Sequence, residues 1–232
     1  MKNKIALVTG ATSGIGWACA LTLAKLGYDL IATGRRAARL EELRQELPEG
    51  IRFLPLVFDV RAREEVERYL ANLPSEWASI DVLINNAGMH ARGDLEKIDP
   101  ADVAAMVDIN LRAPMVLSCA AIPFLRKAGS GAIVMVGSLA GRAPLQGAVT
   151  YSGTKAGLRA FAYGLADELK DANINVGVVS PGPIDTGFIM DEIDQVEDIV
   201  FSQPMSSAAQ VADAVVEIVQ GKQVEISLPA IS

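Results

Sequence analysis

The sequence predicts an α/β fold, a parallel β-sheet flanked by helices in one domain spanning 1–232, and three observations carry that prediction. Short β-branched runs alternate with longer amphipathic stretches along the whole chain, the pattern of strands joined by crossover helices. Half of the 232 residues are apolar and 21% are charged, a balance that suits a buried sheet and argues against disorder. No linker, composition break or internal repeat interrupts the alternation, and the length is enough for one sizeable core.

The strands are predicted at Ile5–Val8, Asp29–Thr33, Ile51–Phe58, Val82–Ile84, Ala132–Val136 and Asn175–Val179, with a last one at Val224–Leu228. Their runs are continuously apolar, as strands buried on both faces must be. Between them, helical spacing predicts Ile15–Leu26, Ala37–Glu46, Arg63–Asn72, Pro100–Ala121, Thr150–Lys170 and Ala208–Val219. The least regular stretch runs from Pro181 to Ser206, with prolines and mixed apolar and acidic residues. A long irregular segment in a compact domain suits a substrate lid, expected over 183–206.

The bulk numbers exclude several functions. A net charge of −7 leaves no basic footprint for nucleic acid. Cys19 and Cys119 are too few for a disulfide framework or thiolate cluster and read as small core residues. The one histidine, His90, rules out a multi-histidine metal site; no metal is expected. No apolar run reaches the ~18 residues of a membrane span, and the first strand starts too early for a signal peptide. The expectation is a cytoplasmic protein without a membrane partner.

The first strand runs into Thr9-Gly10-Ala11-Thr12-Ser13-Gly14-Ile15-Gly16 and then directly into a helix. Glycines there let backbone approach a pyrophosphate, and the helix N-terminus supplies N–H groups and a favourable dipole. The second strand ends in Ala32-Thr33-Gly34-Arg35-Arg36. An acidic residue at this point would hold the ribose 2′-hydroxyl of NAD. Its replacement by Arg35 points to the 2′-phosphate of NADP. For Arg36, phosphate contact and simple solvation of the next helix are both open.

Tyr151-Ser152-Gly153-Thr154-Lys155 places a phenol and an ammonium at i and i+4 on one helix face. A free phenol, with a pKa near ~10, is a poor base at neutral pH, and an adjacent cation lowers it. Ser138 follows the strand Ala132–Val136, at the carboxyl end where α/β proteins bind ligands. Asn85-Asn86-Ala87-Gly88 follows Val82–Ile84, and Asn110 sits inside a helical pattern where an amide is not preferred.

In this order and spacing the chain resembles the short-chain dehydrogenase/reductase family, in its short single-domain branch, from the glycine turn to Pro181-Gly182-Pro183-Ile184-Asp185-Thr186. The resemblance implies a Rossmann-type, doubly wound sheet of about seven parallel strands with helices on both faces. It implies a hydride transfer between NADP(H) and a carbonyl or secondary alcohol, with Tyr151 as general acid in reduction and base in oxidation. Lys155 would bind the nicotinamide ribose and lower the Tyr151 pKa, Ser138 would polarise the substrate oxygen, and Asn110 would anchor a water in a proton relay. Asp59 would meet the adenine amino group, with Val60 beside it. Asn86 and Gly88 would line the cofactor, Asn85 would brace the central strands, and Ile184 and Thr186 would contact the carboxamide. A homodimer or homotetramer is expected.

Two departures qualify the resemblance. Thr12-Ser13 stand where some NADP-dependent members carry another base, so selectivity rests on Arg35 and use of NAD as well stays open. The C-terminus lacks the glycine-rich tail that often shapes a tetramer interface. The cleft walls expected are Ser138 to Tyr151, with Arg142 and Gln146 as specificity candidates, the loop after Gly88, and the segment from Gly187. That segment carries Phe188, Ile189 and Met190, then Asp191, Glu192, Asp194, Glu197 and Asp198. His90 reads either as a solvated loop residue or as one facing substrate. Trp17 and Trp77 read as packing residues. Two rival functions are an epimerase or dehydratase, disfavoured because no residues remain for a second domain, and a sensor or scaffold without turnover, disfavoured by the intact Asn110, Ser138, Tyr151 and Lys155.

Overall fold

The computed structural model describes residues 3–184 and 205–229. Seven strands form one parallel sheet: β1 Ile5–Val8, β2 Asp29–Gly34, β3 Phe53–Val57, β4 Val82–Asn85, β5 Gly131–Val136, β6 Ile174–Pro181 and β7 Glu225–Leu228. Their order is β3-β2-β1-β4-β5-β6-β7, so the winding reverses between β1 and β4. The helices are α1 Gly14–Lys25, α2 Ala37–Glu46, α3 Arg63–Ala71, α4 Pro100–Val107, α5 Ala113–Ala128, α6 Val149–Leu169 and α7 Ala208–Val219.

Alternate strand residues feed two cores, which is why the strand sequences are apolar without a break. Ala6 and Val8 of β1 pack with Leu23 of α1, Leu40 and Leu43 of α2 and Val215 of α7. Ile5 and Leu7 face the other way, with Val66 of α3, Leu117 and Leu125 of α5 and Leu158 of α6. The edge strand β3 tolerates Pro55, which pairs with Ala32, because only an edge can spare a ladder N–H. There Asp29, almost fully buried, holds Arg52 at 2.7 Å, and the guanidinium lies over the Trp77 ring at 4.8 Å.

Two expectations need correction, the burial of Cys119 and the extent of the long helix. Cys119 is exposed, and only Cys19 is a core residue. The helix predicted as Pro100–Ala121 continues to Ala128, through Pro123, to a left-handed cap at Gly129. It also contains a π-helical turn, Asp108–Arg112, between α4 and α5. Pro100–Ala128 is therefore long and apolar enough to cross a membrane by length and composition, although no unbroken apolar run suggests it. Here Met106, Ile109, Leu117, Ala121 and Leu125 of that helix are buried in the protein. The segment 185–204, which holds Thr186, the apolar and acidic lid candidates and most of the expected 183–206 lid, lies outside the described residues.

Candidate active site

Every described site candidate lies at or just beyond the carboxyl end of a strand, or on a helix leaving that end. After β1, the turn from Thr9 to Gly16 is braced from β4: the Asn86 side-chain amide donates to Thr9 O at 2.9 Å and Gly10 O at 3.2 Å. A Cβ on Gly16 would stand 2.3 Å from Gly10 O and 2.4 Å from Asn86 Nδ2, so only glycine lets the helix start this close to the turn. Asn86 is thus a brace of the turn in this geometry. Asn85 lies deeper, its amide donating to Ser118 Oγ at 3.1 Å.

Ser13 caps α1 without a side-chain cap bond, and no acidic residue occupies the first helical turn. The leading N–H groups, from Gly14, Ile15 and Gly16, therefore offer an anion a positive helix end. Two arginines, Arg36 and Arg39, crowd the same turn. Arg36 donates to Thr12 Oγ1 and Ser13 Oγ, both at 2.9 Å, and to Thr12 O at 3.2 Å. Arg39 donates to Thr12 O at 3.3 Å while its guanidinium sits 4.5 Å from the Trp17 ring centroid, so Trp17, packed against the core, also seats this arginine. Arg35, just past β2, adds its charge to the field at Asp59. Spacing could have flagged Arg39, since it shares a helix face with Arg36 at i+3. These features fit a phosphorylated dinucleotide.

Asp59, past β3, is not an open carboxylate. Arg61 pairs with it at 2.8 Å, and hydrogen bonds from the Arg61 side chain hold the Asp59 carboxyl below its ordinary range. Val60 packs beside it, partly buried. Ile184, past β6, is buried and bridges to Ser206.

The tetrad candidates converge beyond β4 and β5. The π turn swells the helix and aims Asn110 inward, fully buried. Its amide donates to Met89 O at 2.9 Å and to Thr154 Oγ1 at 3.2 Å, and its oxygen accepts Met89 N–H at 2.9 Å. Thr154, unmarked in the sequence, in turn donates to Tyr151 O at 2.7 Å. Asn110 thus locks the loop after Gly88 to the helix that carries Tyr151. Gly88 is exposed beside this lock, and a Cβ there would lie 3.8 Å from Lys155 Nζ.

Lys155, buried on α6, donates from Nζ to Val136 O at 2.8 Å. Burial holds its ammonium down to about 8. The same ammonium lies 5.7 Å from the Tyr151 ring centroid. Burial pushes the Tyr151 phenol up to about 12, and the effect pulling it back is a hydrogen bond with Ser138. In this geometry Ser138 is the group that offsets the burial of the phenol. Ser138 Oγ also accepts Ala140 N–H at 3.1 Å, capping the turn Leu139–Gly141. That turn presses on α6 so closely that a Cβ on Gly141 would come 2.7 Å from the Lys155 carbonyl oxygen.

Of the specificity candidates, Arg142 points away, donating to Ser227 Oγ of β7 at 2.6 Å. Gln146 is exposed. His90 does face the site: its ring meets the Tyr151 ring edge-on, centroids 4.3 Å apart.

Comparison with known proteins agrees with this geometry. Residues 4–197 match the short chain dehydrogenase family. Sulfoacetaldehyde reductase 2 of Chromohalobacter salexigens is 38% identical over 190 residues, which cover 81% of this chain and 75% of that protein. The NADP-dependent 3-hydroxy acid dehydrogenase of Escherichia coli is 37% identical over 179 residues, covering 77% of this chain and 71% of that one. Among solved structures, an actinorhodin polyketide ketoreductase with NADPH superposes with a TM-score of 0.89 at 26% identity, covering 97% of this chain and 95% of that chain. A serine dehydrogenase complexed with NADP+ gives 0.84 at 32% identity, covering 97% and 93%. With a glycine turn braced from β4 and a Ser–Tyr–Lys cluster beyond β5, and with a family match over residues 4–197, the chain belongs to the short-chain dehydrogenases.

Proposed function

We propose that this chain is an NADP(H)-preferring oxidoreductase acting on a carbonyl or secondary alcohol, with Tyr151 as general acid and base. The observation that carries the reading is the meeting of Ser138, Tyr151 and Lys155 at the same carboxyl end of the sheet as a glycine turn held by Arg36 and Arg39, with Arg35 at the end of β2. The turn and the N–H groups of α1 would hold the pyrophosphate, the arginines the 2′-phosphate, and Lys155 a ribose hydroxyl. A bound nicotinamide supplies the hydride.

In reduction, Ser138 Oγ holds the substrate oxygen and polarises the C=O bond. As the carbonyl is reduced, its oxygen would take the Tyr151 Oη proton, and in oxidation the Tyr151 phenolate would take the hydroxyl proton back. Charged Lys155 stabilises the phenolate left behind. The NADP-dependent name of the Escherichia coli relative supports the cofactor assignment. The chain acts in one domain, as a cytoplasmic homodimer or homotetramer on a small molecule.

The test is consumption of NADPH and NADH by the purified protein across aldehydes, ketones, a sulfonated aldehyde, 3-hydroxy acids and hydroxy amino acids. Turnover with NADPH favoured is the expected result. Tyr151→Phe abolishes it and leaves NADPH affinity within a few-fold; retained activity in that variant would remove Tyr151 from the role. Binding of NADPH with no turnover on any substrate would favour the sensor reading.

A further inference from the structure

We propose that His90 is a positioning residue of this active site: its imidazole, packed against the Tyr151 ring, sets the direction in which the phenol meets the substrate oxygen. The inference rests on Tyr151 being the proton donor. Four observations support it.

The rings meet edge-on, with centroids 4.3 Å apart and planes at 61°, an arrangement that fixes one ring against the other. The loop bearing His90 is pinned on both sides. Met89 is held twice by Asn110, and Gly93 N–H donates to Gly147 O at 2.9 Å, just ahead of α6. His90 is therefore presented by a clamped backbone to the helix that carries its partner. Finally, burial, then the charges of Arg92 and Lys155, hold the imidazole down to about 4. It stays neutral through the working range, so it adds no cation that would compete with Lys155 for the phenolate.

A proton donor must lie within hydrogen-bond reach of the atom it serves, and a displacement of about 1 Å can cost on the order of a hundredfold in rate. His90→Ala opens a gap beside the phenol; His90→Phe restores a ring of similar shape without the ring nitrogens. The experiment measures kcat and KM for carbonyl reduction, NADPH affinity, and the pH profile of alcohol oxidation in both variants. His90→Ala lowers kcat by about tenfold or more, with NADPH affinity within a few-fold. Its acid limb for oxidation moves to lower pH, because water reaching the phenol relieves the burial that pushes Tyr151 up. His90→Phe returns kcat to within a few-fold of the parent and leaves the limb in place.

Parent-like kcat and pH profile in His90→Ala would overturn the proposal. So would loss of NADPH binding in both variants, which would make His90 part of the fold instead of the reaction. A Phe variant as slow as the Ala variant would also overturn it, since the imidazole nitrogens and not the ring packing would then be needed. Tyr151→Phe in the same assay separates the two ideas: if it retains turnover, the proton-donor reading fails whatever His90 does.

Discussion

Arg35 and Arg36 are adjacent in sequence but do different work. Arg36 is already committed to the glycine turn through Thr12 and Ser13, so truncating it loosens the pyrophosphate cradle as well as removing a cation. Arg35 makes no such brace, and its charge reaches Asp59. Arg35→Ala is expected to cost about 1–3 kcal/mol of NADPH affinity, the size of a charge-assisted contact, with little change for NADH. Arg36→Ala should weaken both cofactors. Calorimetric titration of each variant with both cofactors checks this, and equal losses in Arg35→Ala would count against a phosphate-reading role. Lys155 carries a second prediction at this scale. Burial lowers its ammonium to about 8, so the charge is present below that pH and lost above it. Carbonyl reduction should therefore fall as pH rises through about 8, well before the Tyr151 phenol, held near 12, begins to ionise.

Secondary-structure elements were largely legible because their signals are local. α2 and α7 occupy the segments that their periodicity predicts, and the Tyr–Lys pair, the serine and the glycine turn are fixed by spacing. What could not be read depends on contacts between elements. One extra residue in a helical turn barely disturbs an apolar pattern, so the π turn around Asn110 is invisible until the loop it grips is in place. Nor does spacing show that Asp59 is occupied by Arg61, that Arg142 serves β7, or that His90 leans on Tyr151. Glu225 of β7 is another such case. Its side chain is 7% exposed and accepts from Arg159 at 2.7 Å, Tyr163 at 2.8 Å and Ser180 at 2.9 Å, joining β7 to α6 and β6. Burial pushes its carboxyl up, and these donors outweigh that effect. The contribution is thus present at neutral pH and lost as pH falls through the lowered value. Glu225→Ala should destabilise the fold by an amount at the low end of about 3–5 kcal/mol, since Arg159 keeps partial contact with water. Urea unfolding of the variant checks it.

At the scale of the whole molecule, the strand order places the reversal between β1 and β4, and the two elements flanking that crevice are the glycine turn and the Asn85–Gly88 segment. Ligands of open α/β sheets bind there because connections on the two sides diverge and leave room at the carboxyl ends. Here the crevice is also where the fold is cross-tied. Asn86 joins β4 to the glycine turn, Arg36 joins the start of α2 to it, and Asn110 joins the next loop to α6. A cofactor lying across these ties would contact elements from both halves of the sheet, so its binding energy should appear as stability of the entire domain. At about one hundred times its dissociation constant, a ligand specific for the native state adds about 2.7 kcal/mol. For a chain of this size that corresponds to a rise in melting temperature of about 5–10 °C. NADH at the same concentration should give a smaller rise, because the arginines beside Thr12 then lack their phosphate partner. Thermal melts with both cofactors, repeated on Arg35→Ala, measure this directly. The difference between NADPH and NADH should shrink in the variant. If it persists unchanged, selectivity rests on Arg36 and Arg39 seated on Trp17, and the site would read the phosphate from α2 rather than from the end of β2.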